Sequence, residues 1–425
     1  MVIYTVQQGD SIYSISRRYG VPMQKIIEDN SLEENQRLMI GQALVVMTDE
    51  VRHTVLPGES LYLLAQRYGI SITRILEANP QITEPSRIEA GQVIVIPFFT
   101  PKLGTIEVNG YAYSSINRDI LARVLPNLTY ISIFSYQVNP DGSLKAIPDE
   151  PVIEAARQQR VAPMMVITNT KEGAGFDSDI AHAVLTDEQV QNTLLNNLVS
   201  TLKKGYFGLD IDFEYIFPYD RESYNQFLRK VTEKLHPLGY IVTTALAPKL
   251  SAEQIGLLYE AHDYPAHGLI VDHVILMTYE WGYTYGPARA VAPIDQVQKV
   301  LEYAVSVIPS KKIFMGIPNY GYDWTLPFVQ GSSARQLSNE GAVRLAAEVG
   351  AWIQFDEKSQ SPFFYYYDSE TRQHVVWFED ARSIQAKLKL VDKFGLGGVS
   401  YWTVNTYFSQ NWLVLNAMYD VRKLL

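Results

Sequence analysis

Three acidic side chains occupy every second position of one short stretch: Asp210, Asp212 and Glu214. Apolar residues stand between them, so a β-strand here would place the three carboxyl groups on one face and the apolar side chains on the other. Carboxylates that share a face repel one another, and partial burial raises the pKa of each of them. Such an arrangement seldom serves stability, and the usual reason for it is chemistry.

A row of acids has two ready chemical uses. One is to bind a hard cation such as Mg²⁺ or Ca²⁺ through oxygen ligands. The other is to keep one acid protonated as a donor while its neighbour is ionised. The cation site would need further acidic or amide side chains at the ends of other strands, and few are evident in the sequence. The acid–base pair is therefore the favoured interpretation, and we expect no metal or other cofactor.

The composition narrows the class of protein and its partners. A length of 425 residues suggests two to four domains, and the net charge of −10, without any Lys/Arg-rich run, argues against a nucleic-acid partner. The chain has no cysteine, which excludes disulfides and a thiol nucleophile. No stretch approaches the roughly 20 apolar residues of a membrane span, and the N-terminus lacks the pattern of an ordinary signal peptide. We therefore expect no insertion into a membrane.

An internal repeat fills the first part of the chain. Each unit predicts a short strand, a turn whose serine caps a helix, a second helix and a closing strand. The matching turn residues are Gly9, Asp10 and Ser11 in the first unit and Gly58, Glu59 and Ser60 in the second.

Over its whole length, each unit resembles the LysM module, a βααβ domain that binds the N-acetylglucosamine of peptidoglycan and chitin. The resemblance implies that the sugar lies between the first turn and the segment before the last strand, with those six turn residues as candidate contacts. An equally weighted interpretation is that the serines and glycines serve only the turn and the helix cap. We expect module 1 over residues 1–48 and module 2 over residues 51–98, with short connections between the modules and to the rest of the chain.

From residue 104 to residue 425, apolar runs alternate with amphipathic helical stretches. The candidate strands lie at residues 106–112, 130–134, 162–167, 206–213, 241–246, 273–278, 312–317 and 398–402. Eight strand–helix repeats predict an α/β fold, a (β/α)₈ TIM barrel. The seventh connection, about residues 319–380, is too long for one helix. It contains two aromatic runs on either side of residues 369–372, which predict a hairpin in a small α+β insertion beside the barrel mouth.

Four motifs on these strands resemble those of glycoside hydrolase family 18, the chitinase-like enzymes. The fourth strand carries the last three acids of the family's DxxDxDxE pattern, but Phe207 stands where the first acid is usual. On the sixth strand, Glu280 replaces the usual aspartate. The residues that match the sixth-, seventh- and eighth-strand motifs are Met277, Tyr279, Gly316, Pro318, Tyr320, Gly321, Gly397, Gly398 and Trp402.

This resemblance implies a role for each residue of a substrate-assisted mechanism. Glu214 would be the general acid, Asp212 would hold the substrate's acetamido N–H, and Asp210 would share a proton with Asp212. Tyr279 would orient the acetamido carbonyl, and Trp402 would form the apolar floor under the reacting ring. The plainer alternatives are core packing for Tyr279 and Trp402, and a solvated loop acid for Glu214.

Glu280, Trp281 and Tyr320 are further candidate substrate contacts. The mechanism requires an N-acetyl group and LysM modules bind N-acetylated sugars, so two parts of the chain imply the same substrate class. Their combination resembles the spore cortical-fragment lytic enzymes of Bacillus-type organisms. It implies a retaining β-N-acetylglucosaminidase of peptidoglycan, located in the coat or cortex region of the spore or otherwise at the cell wall. The alternatives are a chitinase and a non-catalytic, chitinase-like glycan-binding or coat protein on the same fold.

Overall fold

Two similar small units precede a large barrel in the computed structural model, which describes residues 1–33, 36–97 and 101–425. The elements of the units are β1 (Val2–Thr5), α1 (Ile12–Tyr19), α2 (Met23–Asp29), β2 (Ala43–Val46), β3 (Glu50–Thr54), α3 (Leu61–Tyr68), α4 (Ile72–Glu77) and β4 (Val93–Pro97). β1 pairs antiparallel with β2, and β3 with β4. The predicted βααβ order is confirmed in both units. Phe98, at the predicted end of module 2, and Phe99 and Thr100, in the predicted connection, lie outside the described residues.

The helices of the two modules begin where the serines predict. The Ser11 hydroxyl accepts a hydrogen bond from the Ser14 N–H at 3.1 Å, and the Ser60 hydroxyl accepts one from the Leu63 N–H at 3.3 Å. These bonds satisfy donors that the first turn of a helix otherwise leaves open. The apolar faces of both modules join in one buried cluster, so the modules pack against each other.

The barrel begins after the modules. Its elements up to the seventh barrel strand are β5 (Gly104–Tyr113), α5 (Arg118–Val124), β6 (Tyr130–Val138), β7 (Leu144–Lys145), α6 (Glu150–Gln158), β8 (Ala162–Thr168), β9 (Thr170–Lys171), β10 (Gly175–Phe176), α7 (Ser178–Thr186), α8 (Glu188–Leu202), β11 (Gly208–Asp212), α9 (Arg221–Leu235), β12 (Ile241–Leu246), α10 (Tyr264–Ile270), β13 (His273–Leu276), α11 (Ile294–Val307) and β14 (Ile313–Pro318). The short strands β9 and β10 pair with each other after β8, and the short strand β7 pairs with the last two residues of β6.

An antiparallel sheet and a helix interrupt the barrel before its last strand. They comprise β15 (Gly321–Leu326), β16 (Arg335–Leu337), α12 (Asn339–Val349), β17 (Gln354–Asp356), β18 (Ser361–Tyr367) and β19 (Gln373–Trp377). β18 and β19 form the predicted hairpin. The chain then completes the barrel with α13 (Ala381–Phe394), β20 (Gly398–Trp402), α14 (Ser409–Met418) and β21 (Tyr419–Val421).

Eight parallel strands close the barrel in the order β5, β6, β8, β11, β12, β13, β14 and β20, with β20 pairing back to β5. The predicted TIM barrel with an α+β insertion after its seventh strand is thus confirmed. Among residues 1–33, 36–97 and 101–425, no helix combines the length and the apolar character needed to cross a bilayer.

Strand β11 is shorter than the predicted residues 206–213. Phe207 precedes the strand and packs at the amino end of the apolar cluster that fills the barrel interior, where its ring centroid lies 6.2 Å from that of Tyr130. Phe213 follows the strand and stacks on Phe227 of α9, with 6.2 Å between centroids. The strand ends at Asp212 because the chain beyond it bonds to a loop side chain instead of to a neighbouring strand.

Candidate active site

A cleft of about 360 Å³ opens at the carboxyl ends of the barrel strands. Catalytic groups of this fold lie at that end, because the loops that follow the strands converge there. The cleft is lined by eight of the residues singled out from the sequence: Asp212, Glu214, Met277, Tyr279, Glu280, Trp281, Tyr320 and Trp402. Asp210 does not line it and lies fully buried beneath, one alternation deeper in β11.

Asp210 is held by two hydroxyl groups of the barrel wall, one from the adjacent strand β12 and one from the more distant strand β5. Tyr111 of β5 donates to one carboxyl oxygen at 2.6 Å, and Thr243 of β12 donates to the other at 2.6 Å. Burial raises the pKa of Asp210 to about 6, although these two hydrogen bonds favour the ionised form. Two hydroxyls therefore support Asp210 in a chain that has phenylalanine at position 207.

Asp212 is buried, with 4% of its surface exposed, and faces the cleft. Its Oδ1 has no hydrogen-bond partner among the described residues. Burial raises the pKa of Asp212 well above its usual range, and the charges of Glu214 and Asp210 raise it further. A buried acceptor without a partner is costly, so this oxygen is suited to receive an N–H or O–H from a bound molecule.

Glu214 lies two residues beyond the end of β11, and a loop asparagine fixes its backbone. The Glu214 N–H donates to Asn169 Oδ1 at 3.0 Å, and Asn169 Nδ2 donates to the Glu214 carbonyl at 2.8 Å. Burial raises the pKa of Glu214 to about 7, with a smaller contribution from the charge of Glu280. A carboxyl group with this pKa is protonated often enough near neutral pH to act as a general acid.

Glu280 follows the sixth barrel strand and is tied to the seventh-strand region. The hydroxyls of Tyr320 and Tyr322 both donate to its carboxylate, the latter at 3.2 Å. Burial raises the pKa of Glu280, while these two hydrogen bonds lower it. The longer glutamate side chain, which stands where the family pattern has aspartate, is thus held by tyrosines at the cleft wall.

Trp402 ends β20 and belongs to an aromatic group at the base of the cleft. Its indole meets Phe134 edge-on at 4.9 Å between centroids, and it meets Tyr111 at 5.3 Å. These edge-to-face contacts leave the indole only partly buried while fixing its orientation. A rigid aromatic surface that lines a polar cleft is suited to carry the apolar face of a sugar ring.

Several residues of the site were missed in the sequence. Tyr111, Asn169, Thr243 and Tyr322 hold the acids, and Gln336 lines the cleft from the insertion. A tyrosine or threonine within a strand has the same appearance whether it packs or donates a hydrogen bond. The only signal available was that Tyr111 and Thr243 are polar groups in strands buried on both faces.

The six module residues do not line the cleft. Asp10 accepts hydrogen bonds from the Gln7 N–H at 2.7 Å and the Tyr4 hydroxyl at 2.5 Å, and Glu59 makes the equivalent bond to the Leu56 N–H at 2.8 Å. Both acids therefore brace their turns. Contact between these turns and a sugar stays a prediction.

The described residues contain no group of three or more His, Asp or Glu side chains arranged to hold a metal ion. Asp210, Asp212 and Glu214 instead form a row: Asp210 lies buried in the barrel interior, and Asp212 and Glu214 line the cleft. One unpaired acceptor, one acid that can be protonated and one aromatic floor share this cleft. Such an arrangement can donate a proton to a leaving group while it holds a polar substituent of the same molecule.

Comparison with known proteins gives the same picture for the whole chain. Residues 108–406 match the family described as glycosyl hydrolases family 18, and residues 4–46 and 53–97 each match the LysM domain. The cortical fragment-lytic enzyme of Bacillus subtilis (strain 168) is 45% identical over 431 aligned residues, which cover 100% of this chain and 99% of that protein.

Solved structures show the same likeness in three dimensions. The crystal structure of the Bacillus megaterium QM B1551 spore cortex-lytic enzyme SleL has a TM-score of 0.89 at 40% identity and covers 100% of this chain and 99% of its own. A chitinase from Chromobacterium violaceum ATCC 12472 has a TM-score of 0.68 at 25% identity and covers 73% of this chain and 98% of its own.

Proposed function

The chain belongs to glycosyl hydrolases family 18 and carries two LysM domains, and from this premise we propose that it hydrolyses N-acetylglucosaminyl bonds of spore-cortex peptidoglycan. The names of its relatives support this substrate, since they are described as cortical fragment-lytic and spore cortex-lytic enzymes. The proposal places the protein in the coat or cortex region of the spore, with peptidoglycan as its partner. It also keeps the predicted limits of the modules at residues 1–48 and 51–98, the catalytic domain at 104–425 and the insertion at about 319–380.

We propose that the reaction retains configuration and uses the substrate's own acetamido group as the nucleophile. Glu214 donates its proton to the leaving glycosidic oxygen as that bond to the anomeric carbon breaks. The acetamido oxygen forms the new bond to the anomeric carbon and gives a cyclic oxazolinium ion. Glu214, now ionised, then takes a proton from the water that opens this ring.

The observation that carries the proposal is the pairing of Glu214 with Asp212 in one cleft. The raised pKa of Glu214, about 7, supports a protonated acid at the moment of bond cleavage. The unpaired buried Oδ1 of Asp212 supports an acceptor for the acetamido N–H. Once ionised, Asp212 would stabilise the positive charge that develops on the oxazolinium ring.

The remaining groups orient the substrate in this proposal. Tyr279, which is 9% exposed, directs its hydroxyl to the acetamido carbonyl, and Trp402 supports the reacting ring. Glu280, Trp281 and Tyr320 contact the sugar from the cleft wall. Asp210 shares a proton with Asp212 and so allows that neighbour to ionise only as charge develops.

The test is the release of glycan fragments from purified spore-cortex peptidoglycan, read by mass spectrometry. Glu214→Gln should retain glycan binding and lower turnover at least about 10²-fold, which is the usual scale of general-acid catalysis. Release that ends in reducing N-acetylglucosamine would support the bond assignment. Undiminished release by the variant would refute the role of Glu214, and cleavage of chito-oligomers without cleavage of cortex fragments would favour a chitinase.

A further inference from the structure

The two modules share the loop conformation that precedes their closing strands. The Gly41 N–H donates to the Val6 carbonyl at 2.9 Å, and the Gly91 N–H donates to the Val55 carbonyl at 2.8 Å. The backbone is left-handed at both glycines, with φ of +84° and +90°. The backbone is therefore alike at these two glycines, and the loops differ in their side chains and in the parts of the chain that cover them.

In module 1, the catalytic domain covers this loop. The Ile353 N–H of the insertion donates to the Ile40 carbonyl at 2.9 Å, and Arg382 donates to the Gly41 carbonyl at 3.1 Å. A Cβ at position 41 would come within 1.7 Å of the Ile353 carbonyl oxygen. Ordinary contact begins at about twice that separation, so no side chain fits at Gly41 without moving the insertion.

The residues two positions before the glycines also differ, since one is apolar and buried and the other is charged and exposed. Met39 is 3% exposed and belongs to an apolar cluster that includes Phe364 and Phe378 of the insertion region. Its counterpart in module 2 is Glu89, which is exposed. Among residues 1–33, 36–97 and 101–425, a Cβ at Gly91 would meet nothing within 4 Å. The loop of module 2 therefore faces solvent along the surface that module 1 buries.

A second set of contacts fixes module 1 from another side. Gln410 at the start of α14 donates to Asn30 Oδ1 at 3.0 Å and to the Ala43 carbonyl at 2.8 Å. The Ser409 hydroxyl donates to the Asp29 carbonyl at 2.7 Å. Buried and partly buried hydrogen bonds of this kind hold module 1 in one orientation against the barrel.

We infer that the two modules have different tasks: module 1 is a fixed part of the catalytic unit, and module 2 alone retains the glycan. The inference rests on the proposed function and on the LysM resemblance, which implies a sugar-binding groove between the first turn and the loop before the last strand. In module 1 one wall of that groove is occupied by Ile353 and Arg382. In module 2 both walls are open to the described part of the chain, where neither Gly58 nor Gly91 has a neighbour within 4 Å of an added Cβ.

The test uses a matched pair of substitutions in the first turns. Gln8 and Pro57 occupy equivalent exposed positions just before Gly9 and Gly58. A tryptophan at either position would block its groove without entering a core. With Glu214→Gln present to prevent cleavage, retention on insoluble spore-cortex peptidoglycan gives an apparent Kd. We expect Pro57→Trp to raise the apparent Kd at least about 10-fold, which corresponds to about 1.4 kcal/mol. Gln8→Trp should leave the apparent Kd within about 2-fold, because the groove of module 1 is already covered.

The possible outcomes distinguish a failure of the inference about the two modules from a failure of the proposed function. An equal or larger loss with Gln8→Trp, or no loss with Pro57→Trp, would overturn the inference while fragment release by the unsubstituted enzyme still supports the function. An unsubstituted enzyme that neither binds nor cleaves the peptidoglycan would overturn both. Circular dichroism of each variant confirms that the module stays folded.

A second pair tests the docking of module 1 without any glycan. Gly41→Ala and Gly91→Ala impose the same left-handed strain, but only the first pushes a methyl group into Ile353. We expect Gly41→Ala to lower the midpoint of thermal unfolding by at least about 3 °C more than Gly91→Ala, because only the first variant disturbs the contact with the insertion. Equal shifts would show that the contact with the insertion contributes nothing.

Discussion

The two ends of the barrel interior use burial for opposite purposes. At the carboxyl end, Asp210 and Asp212 are acids enclosed almost completely, which raises the pKa of both. At the amino end, Phe207, Tyr130 and Phe314 form an aromatic cluster. One end of β11 thus carries buried acids, whose burial costs free energy, and the other end carries apolar packing, which contributes free energy.

The difference between the two ends of the barrel interior is consistent with phenylalanine at position 207, where the family pattern has its first acid. Phe207 lies with the packing end, and the hydroxyls of Tyr111 and Thr243 hold Asp210 from the sides. If this division holds, substitutions at the two ends should separate catalysis from stability.

The largest effect on catalysis should come from Asp212→Asn. The variant keeps the shape of the side chain but removes the charge that faces the oxazolinium ion. We expect kcat on cortex fragments to fall about 10²–10³-fold, the range for losing one electrostatic stabiliser of a transition state. Phe207→Leu is the control from the opposite end and should keep kcat within about 2-fold. A variant with more than a tenth of the original kcat would contradict the role of Asp212.

Phe207→Asp reverses the comparison by placing an acid at the packing end. It restores the usual family residue but loses aromatic contacts and partly buries a charge, so we expect the free energy of unfolding to fall by about 2–3 kcal/mol. Urea unfolding measures this loss, and Phe207→Leu should lose less than about 1.5 kcal/mol. A rise in kcat with Phe207→Asp would show that position 207 still supports the acids.

Glu214→Gln should reveal the stability cost of the acid end. The pKa of Glu214 in the folded protein, about 7, lies above its ordinary value of 4.5, so the folded state holds the proton more tightly than the unfolded chain. This contribution to stability is complete below about pH 4 and is lost as the pH rises through 7. Glutamine stays neutral, so the variant should gain about 1–2 kcal/mol relative to the unsubstituted protein between pH 4 and pH 8.5. Parallel pH profiles of unfolding would refute this cost.

The smallest effect should come from Glu280→Gln. Burial is the main reason for the raised pKa of Glu214, and the charge of Glu280 is the lesser one. Removing that charge should move the alkaline limb of kcat/KM to lower pH by less than about one unit. Glu357→Gln, an exposed position on the insertion, is the control and should leave the limb in place. A shift to higher pH would mean that Glu280 acts on Glu214 in another way.

Much of this architecture was predictable because it depends on local patterns. Alternation placed Asp210, Asp212 and Glu214 together, and the spacing of apolar runs gave eight barrel strands, of which residues 241–246 and 398–402 agree in both bounds. The partners of the acids were not predictable. Asn169 and Glu214 are 45 residues apart, and their hydrogen bonds exist only because the loops after β8 and β11 converge.

The repeat was predictable as a pair of similar modules, but their unlike surroundings were not. Both modules carry the same glycine and glutamine before the closing strand. A weak signal was present, since Met39 is apolar where Glu89 is charged. Single apolar residues are common on protein surfaces, so the sequence alone does not show that Met39 is buried in an interface. Only the fold brings Ile353 to the first module.

Two structural constraints therefore act on Gly41, whereas only one acts on Gly91. The turn requires the left-handed backbone at both positions, while the carbonyl of Ile353 additionally forbids a side chain at the first. For protein engineering, module 2 is therefore the unit to change. Its loop can be redesigned for another polysaccharide, whereas the loop of module 1 packs against the catalytic domain. Two modules that share one sequence pattern thus differ in role: one binds the polymer, and the other is a structural part of the catalytic unit.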